Sequence, residues 1–224
     1  MQPSVNPRFQ NATEYRYFKV FQDQAATELS GYFDSNVWSR SILQVCHEEE
    51  FARHAVIAIG ALHAVMEAVQ SNPALSFPSD ARRKLGLPHH ELALRHYGKA
   101  LQSMKELSQR NSTSLFRNTL LSCLLTTCFE NYIGNQDNAL VQVQAGVEIL
   151  TERELMSRCG TPDDMSIVIS ANSLDDSDLL GTFARLEASL ILFRGTHQAP
   201  RRLLPLRKEE SAVFKNMPSS FNTM

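Results

Sequence analysis

The chain has 224 residues, 43% of them hydrophobic, and its 22 lysines and arginines stand against 24 aspartates and glutamates for a formal charge of -2. That is enough apolar material for one domain with a full core, and the balance of charge excludes a global basic field that would draw the protein onto nucleic acid. Residues 1–15 carry no apolar stretch or cleavage pattern, so no secretory signal is expected and the protein is expected to stay inside the cell; the longest apolar run, Ala55 to Met66, falls well short of the roughly twenty residues that cross a bilayer.

Residues 1–13 read as a disordered N-terminal tail. From Tyr15 to about Leu29 the apolar residues Tyr17, Phe18, Phe21, Ala25 and Leu29 recur at helical intervals, and Ser30-Gly31 supplies the stop. A shorter helix follows, capped by Ser35 or Asn36 and carrying Val37, Trp38, Ile42 and Val45. Glu48, Glu49 and Glu50 then open a long helix whose apolar face is Phe51, Ala55, Ala58, Ile59, Leu62, Met66 and Val69. Acidic residues in a first turn complement the helix dipole, so the glutamate run marks a start and not a metal site.

Ser71 to Pro88, with three prolines and the triplet Arg82-Arg83-Lys84, reads as an exposed loop. Leu94, Tyr97, Leu101, Met104 and Leu107 make the stripe of the next helix, and Asn111-Ser112-Thr113-Ser114 breaks the pattern. From Leu115 to Ile133 apolar residues cover most of the circumference, which predicts the most enclosed helix of the core. Gly134 and Asn135 form a tight connection to a helix with Leu140, Val143, Val147 and Leu150, folded back as an antiparallel hairpin. Cys159 to Asp178 reads as a mobile connection, and Leu179, Phe183, Leu186, Leu190 and Phe193 mark a last helix. The pattern as a whole predicts an all-α fold, an irregular bundle of antiparallel helical hairpins with about seven helices over residues 14–195. Residues 196–224 are left as an extended tail or a truncated continuation of the domain.

Little in the chain carries chemistry. Cys46, Cys123, Cys128 and Cys159 include no Cys-x-x-Cys pair and cannot build a metal cluster; small buried hydrophobes in a reducing compartment is their expected role. Glycines sit singly, so no phosphate loop or dinucleotide fingerprint exists. His89, His90 and His96 cluster without the spacing that sets two imidazoles on one helix face, and His54 and His63 read as hydrogen-bonding residues at helix interfaces. Asp163, Asp164, Asp175, Asp176 and Asp178 lack the pattern of a calcium loop. His96-Tyr97-Gly98-Lys99-Ala100-Leu101 and Asn138-Ala139-Leu140-Val141-Gln142 are each similar to a tetratricopeptide helix, but their separation of about 42 residues is not that repeat's 34. No catalytic residue, cofactor or metal is expected, and no enzyme.

Several segments in series carry more information than any one alone. Glu28-Leu29-Ser30-Gly31-Tyr32-Phe33, then Arg53-His54-Ala55-Val56-Ile57-Ala58-Ile59-Gly60-Ala61-Leu62-His63, His96-Tyr97-Gly98-Lys99-Ala100, Leu124-Leu125-Thr126-Thr127-Cys128-Phe129-Glu130 with Gly134-Asn135, Gln144-Ala145-Gly146-Val147-Glu148-Ile149-Leu150, Phe183-Ala184-Arg185-Leu186-Glu187 and Met217-Pro218-Ser219-Ser220-Phe221 follow one another in order. This series, from about residue 14 to 222, resembles the regulatory region of fungal zinc-binuclear-cluster transcription factors. The resemblance implies an all-helical, nuclear regulator, with cytoplasm as the alternative location, acting through effector or partner binding and linked to a secondary-metabolite gene cluster. The six-cysteine DNA-binding module of that family does not precede residue 14, so this chain alone is expected not to recognise a DNA sequence. A fragment, a mis-split gene product and a stand-alone regulator remain open.

The implied partners are a protein, such as a complete family member, or a small apolar effector, with no membrane involved. Helical bundles bind ligands between helices in mostly apolar pockets, and Phe51, Met66, Met104, Cys128 and Phe129 are the candidate wall. Arg201, Arg202, Arg207 and Lys208 form the strongest basic patch, a candidate for nuclear import or phosphate contact. The alternatives are a helical interaction scaffold without a ligand and, last, an enzyme.

Overall fold

The computed structural model describes residues 9–31, 36–70, 80–107, 109, 114–159 and 174–193, and every regular element among them is helical, as expected for an all-α fold. The chain divides into two compact units, Met1–Gly146 and Val147–Met224.

The first helix, α1 (Ala12–Val20), starts earlier than residue 14 because local chemistry fixes its entry. Asn11 caps it by accepting the Glu14 N–H at 2.9 Å, and the Glu14 carboxylate returns to accept the Gln10 N–H at 2.8 Å, a variant of the capping box. Phe9, just outside, is buried against Phe18 and Tyr15, with ring centroids 5.1 and 5.5 Å away. A π-helical turn, Phe21–Ala25, joins α1 to α2 (Ala26–Ser30), and Gly31 ends the rod at φ 57°, the left-handed conformation that glycine tolerates best. A second π-turn, Val37–Ser41, leads into α3 (Ile42–Glu48), and one extended residue, Glu49, separates it from α4 (Glu50–Gln70).

Helix α4 is the hub of the first unit, touching α1, α3, α5 (Asp80–Leu107) and α6 (Leu115–Tyr132). Every residue from Ala55 to His63 is buried, including Val56, Ile57 and Ala61, which lie off the expected apolar face. Burial on α6 is also nearly all-round, from Leu120 to Glu130, but the central place expected for α6 belongs to α4. Small residues explain this: Ala52, Ala55, Ala58, Gly60 and Ala61 let neighbouring backbones approach more closely than leucines would. By length and hydropathy Glu50–Ala68 could span a bilayer; its contacts with four other helices make it core instead.

The expected loop from Ser71 to Pro88 is corrected. Helix α5 begins at Asp80, so Arg82, Arg83 and Lys84 lie within it and Pro88 stands inside the helix. A proline there removes one backbone hydrogen bond, and packing holds the turn: His89 pairs with Tyr17 of α1, and Ala93 and His96 are buried. The expected stripe of α5 is also rotated. Ala93, His96, Ala100 and Leu107 face inward, Tyr97 and Met104 are half-buried, and Leu94 and Leu101 point outward at 46% and 44% exposure.

Between α6 and α7 (Gln136–Cys159) the connection is as tight as the sequence suggested. Gly134, at φ 82°, sends its N–H to the Asn131 carbonyl and Asn135 sends its own to that of Glu130, the paired bonds of a Schellman motif. Helix α7 starts in the first unit and ends in the second, reaching Cys159, the residue at which a mobile connection was expected to begin. In the second unit α8 (Leu174–Phe193) buries Leu179, Phe183, Ala184 and Ala188. Residues 196–224 lie outside the described residues.

Candidate functional site

Three clusters of polar side chains stand among those that tie the helices of the first unit together. At the first, Glu14 of α1, His54 of α4 and His96 of α5 meet. His54 and His96 face each other through their Nδ1 atoms at 3.0 Å, and His96 Nε2 stands 3.6 Å from Glu14 Oε1 with both side chains about 5% exposed. One Nδ1 must donate and the other accept, so at least one ring is neutral at that nitrogen. Burial, helped by the charges of His96, Lys99 and Arg53, pulls the His54 pKa down to about 4; burial also lowers His96, against the pull of Glu14.

A second cluster fixes α5 to the end of α6. The Tyr97 ring stacks on Phe129 with centroids 3.7 Å apart and planes 14° from parallel, and its hydroxyl donates to Glu130 Oε1 at 2.7 Å. Glu130 is only 7% exposed, and its other oxygen accepts from Asn135 Nδ2 at 2.9 Å. Burial, followed by the carboxylate, pushes the Tyr97 hydroxyl well above its ordinary range, so it remains a donor.

The third lies at a cleft of about 130 Å³ lined by Gln24, Glu28, His63, Met66 and Glu67. The π-turn and α2 supply Gln24 and Glu28, and α4 supplies the rest. His63 is buried, with its Nδ1 3.1 Å from the Tyr132 hydroxyl and 3.7 Å from Glu28 Oε2. Burial first, then Cys128 and Glu28, pushes the Tyr132 pKa up to about 12, so Tyr132 stays neutral and can donate to the imidazole. Gln24 Nε2 reaches Glu67 Oε1 at 3.3 Å across the mouth. What the cleft offers is a set of polar groups, two of them carboxylates, beside the exposed side chain of Met66.

Of the five residues expected to wall a pocket, Met66 alone lines this cleft, and it is 45% exposed. Phe51 is buried in α4, Phe129 is held under Tyr97, Met104 sits 4.0 Å from the Thr126 hydroxyl, and Cys128 is buried near Tyr132. The histidines at 89, 90 and 96 are separated: His89 pairs with Tyr17, His96 with His54, and His90 is exposed. His54 and His63 do bond across helix interfaces. Cys46, Cys123 and Cys128 are free and buried, with burial raising all three thiols. Arg201, Arg202, Arg207 and Lys208 lie outside the described residues. Glu28 and Glu67 were not foreseen, since only the fold brings α2 to the far end of α4.

Comparison with known proteins completes the picture. The model of a family described as "Fungal specific transcription factor domain" matches residues 16–222. A protein of Emericella nidulans named as the aspercryptin biosynthesis cluster-specific transcription regulator atnN is 26% identical over 155 residues, covering 69% of this chain and 22% of that protein. The chain thus spans about a fifth of the length of the relative it matches. No solved structure matches it.

Proposed function

The chain belongs to the fungal-specific transcription factor domain family, and from that premise we propose that it is not an enzyme but the part of a transcription regulator that receives a signal by contact with a partner protein. The family match over residues 16–222 carries this reading. The size of the cleft favours a protein contact: about 130 Å³ is below the roughly 300 Å³ at which pockets enclose a drug-sized ligand. The working location is the nucleus, with Arg201, Arg202, Arg207 and Lys208 as the import patch, and the regulated genes belong to a secondary-metabolite cluster, by analogy with the relative's name. DNA is read by another module or chain.

A second reading, a small effector, is favoured by Met66, an apolar side chain left exposed beside the acceptors of the cleft. Tethering the chain to an unrelated DNA-binding domain upstream of a reporter tests both. Partner-driven regulation changes reporter output in the native host without added metabolite, whereas an effector makes output depend on the metabolite supplied. Output equal to that of the DNA-binding domain alone under every condition would overturn the regulatory reading.

A further inference from the structure

Helix α5 carries an outward seam that the single chain does not explain. Glu91, Leu94, Gly98, Leu101 and Lys105 recur at intervals of three and four residues, and all five are exposed. A heptad spacing of this kind is what a helix uses to meet another helix. At its centre is Gly98. Glycine in the middle of a helix is destabilising relative to alanine, yet a Cβ at Gly98 would meet nothing within 4 Å. Nothing among the described residues therefore requires a glycine there. The two leucines that flank it are among the few large apolar side chains left in solvent.

We propose that this face is a self-association surface, on which α5 crosses α5 of a second copy antiparallel with the two-fold axis at Gly98. The charges select the occupant and the direction. A two-fold axis at residue 98 sets each residue opposite the one equally far on the other side, because a two-fold interface is isologous. Glu91 and Lys105 are each seven positions from Gly98, so the acid of one copy meets the base of the other, twice. Leu94 of one copy falls beside Leu101 of the second copy, and the absent side chain at 98 lets the helices approach. A parallel pairing would instead bring Glu91 against Glu91 and Lys105 against Lys105. Glu91 already holds Arg95 at 2.9 Å, both side chains being mostly exposed, and Lys105 too has an interaction within its own chain; such surface pairs are weak enough to share a partner. One helix crossing buries less than the ~1,200 Å² of a standard interface, so the dimer forms weakly and with concentration. This inference does not depend on the proposed regulatory role.

Sedimentation of the purified 224-residue chain, from low micromolar to submillimolar concentration, tests it. The wild type shifts from monomer to dimer. Leu101→Lys weakens association at least about tenfold, as loss of a central anchor does, with an unchanged melting temperature because the residue is exposed. Glu91→Lys and Lys105→Glu are each monomeric alone, for each faces like charge, but mixed in equal amounts they form a heterodimer with both pairs restored. Gly98→Ala raises the melting temperature of the monomer while weakening the dimer. A wild type that stays monomeric throughout, which would leave the face to solvent or another protein, overturns the proposal. So does a dimer that survives Leu101→Lys, or a mixture of the two charge variants that remains monomeric.

Discussion

Gly60 and Tyr17 are in backbone contact: a Cβ on Gly60 of α4 would stand 2.1 Å from the Tyr17 carbonyl oxygen of α1 and 3.3 Å from the Phe21 nitrogen. No rotamer change relieves that clash, since the obstructing atoms are main chain. Gly60→Ala is therefore expected to push α1 away from α4 and to destabilise the protein by about 3 kcal/mol, the upper part of the range for overpacked cores. Chemical denaturation measures it. Gly98→Ala, which adds the same methyl where a single copy leaves open space, is the control at concentrations that keep the chain monomeric. Equal midpoints for the two variants would show that α1 does not lie over Gly60 in solution.

Acid should loosen the junction of α1, α4 and α5. His54 titrates near 4 and His96 below its ordinary value in the folded chain, whereas both return toward about 6.5 on unfolding. Between those values the unfolded chain binds more protons, so stability is full above about pH 6.5 and falls as the pH drops toward 4. Glu14 favours the charged rings, while Lys99, Arg53 and Arg95 oppose it. Melting temperatures measured from pH 7 to pH 5 should decline for the wild type and more gently for His54→Gln. Parallel slopes would count against a neutral, buried pair.

Tyr97→Phe keeps the ring on Phe129 but removes one of the two donors to the buried Glu130 carboxylate. Hydrogen bonds to charged groups contribute about 1.5–3 kcal/mol, so a loss of about 2 kcal/mol is expected in equilibrium unfolding. Exchanging Glu130 for glutamine in the same background should recover part of it, because a neutral amide tolerates the missing partner better. A loss that glutamine does nothing to soften would place the cost in packing.

Leu124 is fully buried on α6, and Leu124→Ala should cost about 2–5 kcal/mol, as large-to-small changes in closed cores do. The denaturation midpoint reports it. A midpoint at the wild-type value would remove α6 from the core.

How far the sequence foretold this fold depended on residue size. The long helix from Glu50, the stop at Gly31 and the turn at Gly134 follow from periodicity and backbone preference, which are local. The register of α5 failed because large apolar side chains mark a buried face only when there is room for them. Here α4 and α5 lie so close that Ala93 and Ala100 fill the gap, with His96 between them satisfied by His54 and Glu14. Pro88 misled for a related reason, since tertiary contacts at His89 outweigh one lost backbone bond. The cleft could not be foreseen at all beyond Met66: Glu28 and His63 are 35 positions apart, and nothing near either residue points to the other.

The π-turn between α1 and α2 gives that cleft a particular vulnerability. A π-helical turn contains one more residue than an α-helical turn would need, and it takes up that residue by widening, so that the chain leaves the turn in the direction it would have had without it. Deleting Gln22 or Asp23, the exposed residues of Phe21–Ala25, would let the rod close into an uninterrupted α-helix with Tyr17 still seated on Gly60. Were all five residues wound as an α-helix instead, with none lost, Glu28 would swing about a quarter-turn away from His63. The mouth of the cleft is thus keyed to the width of this turn, whereas the loss of one of its exposed residues would be absorbed with Glu28 still turned toward His63.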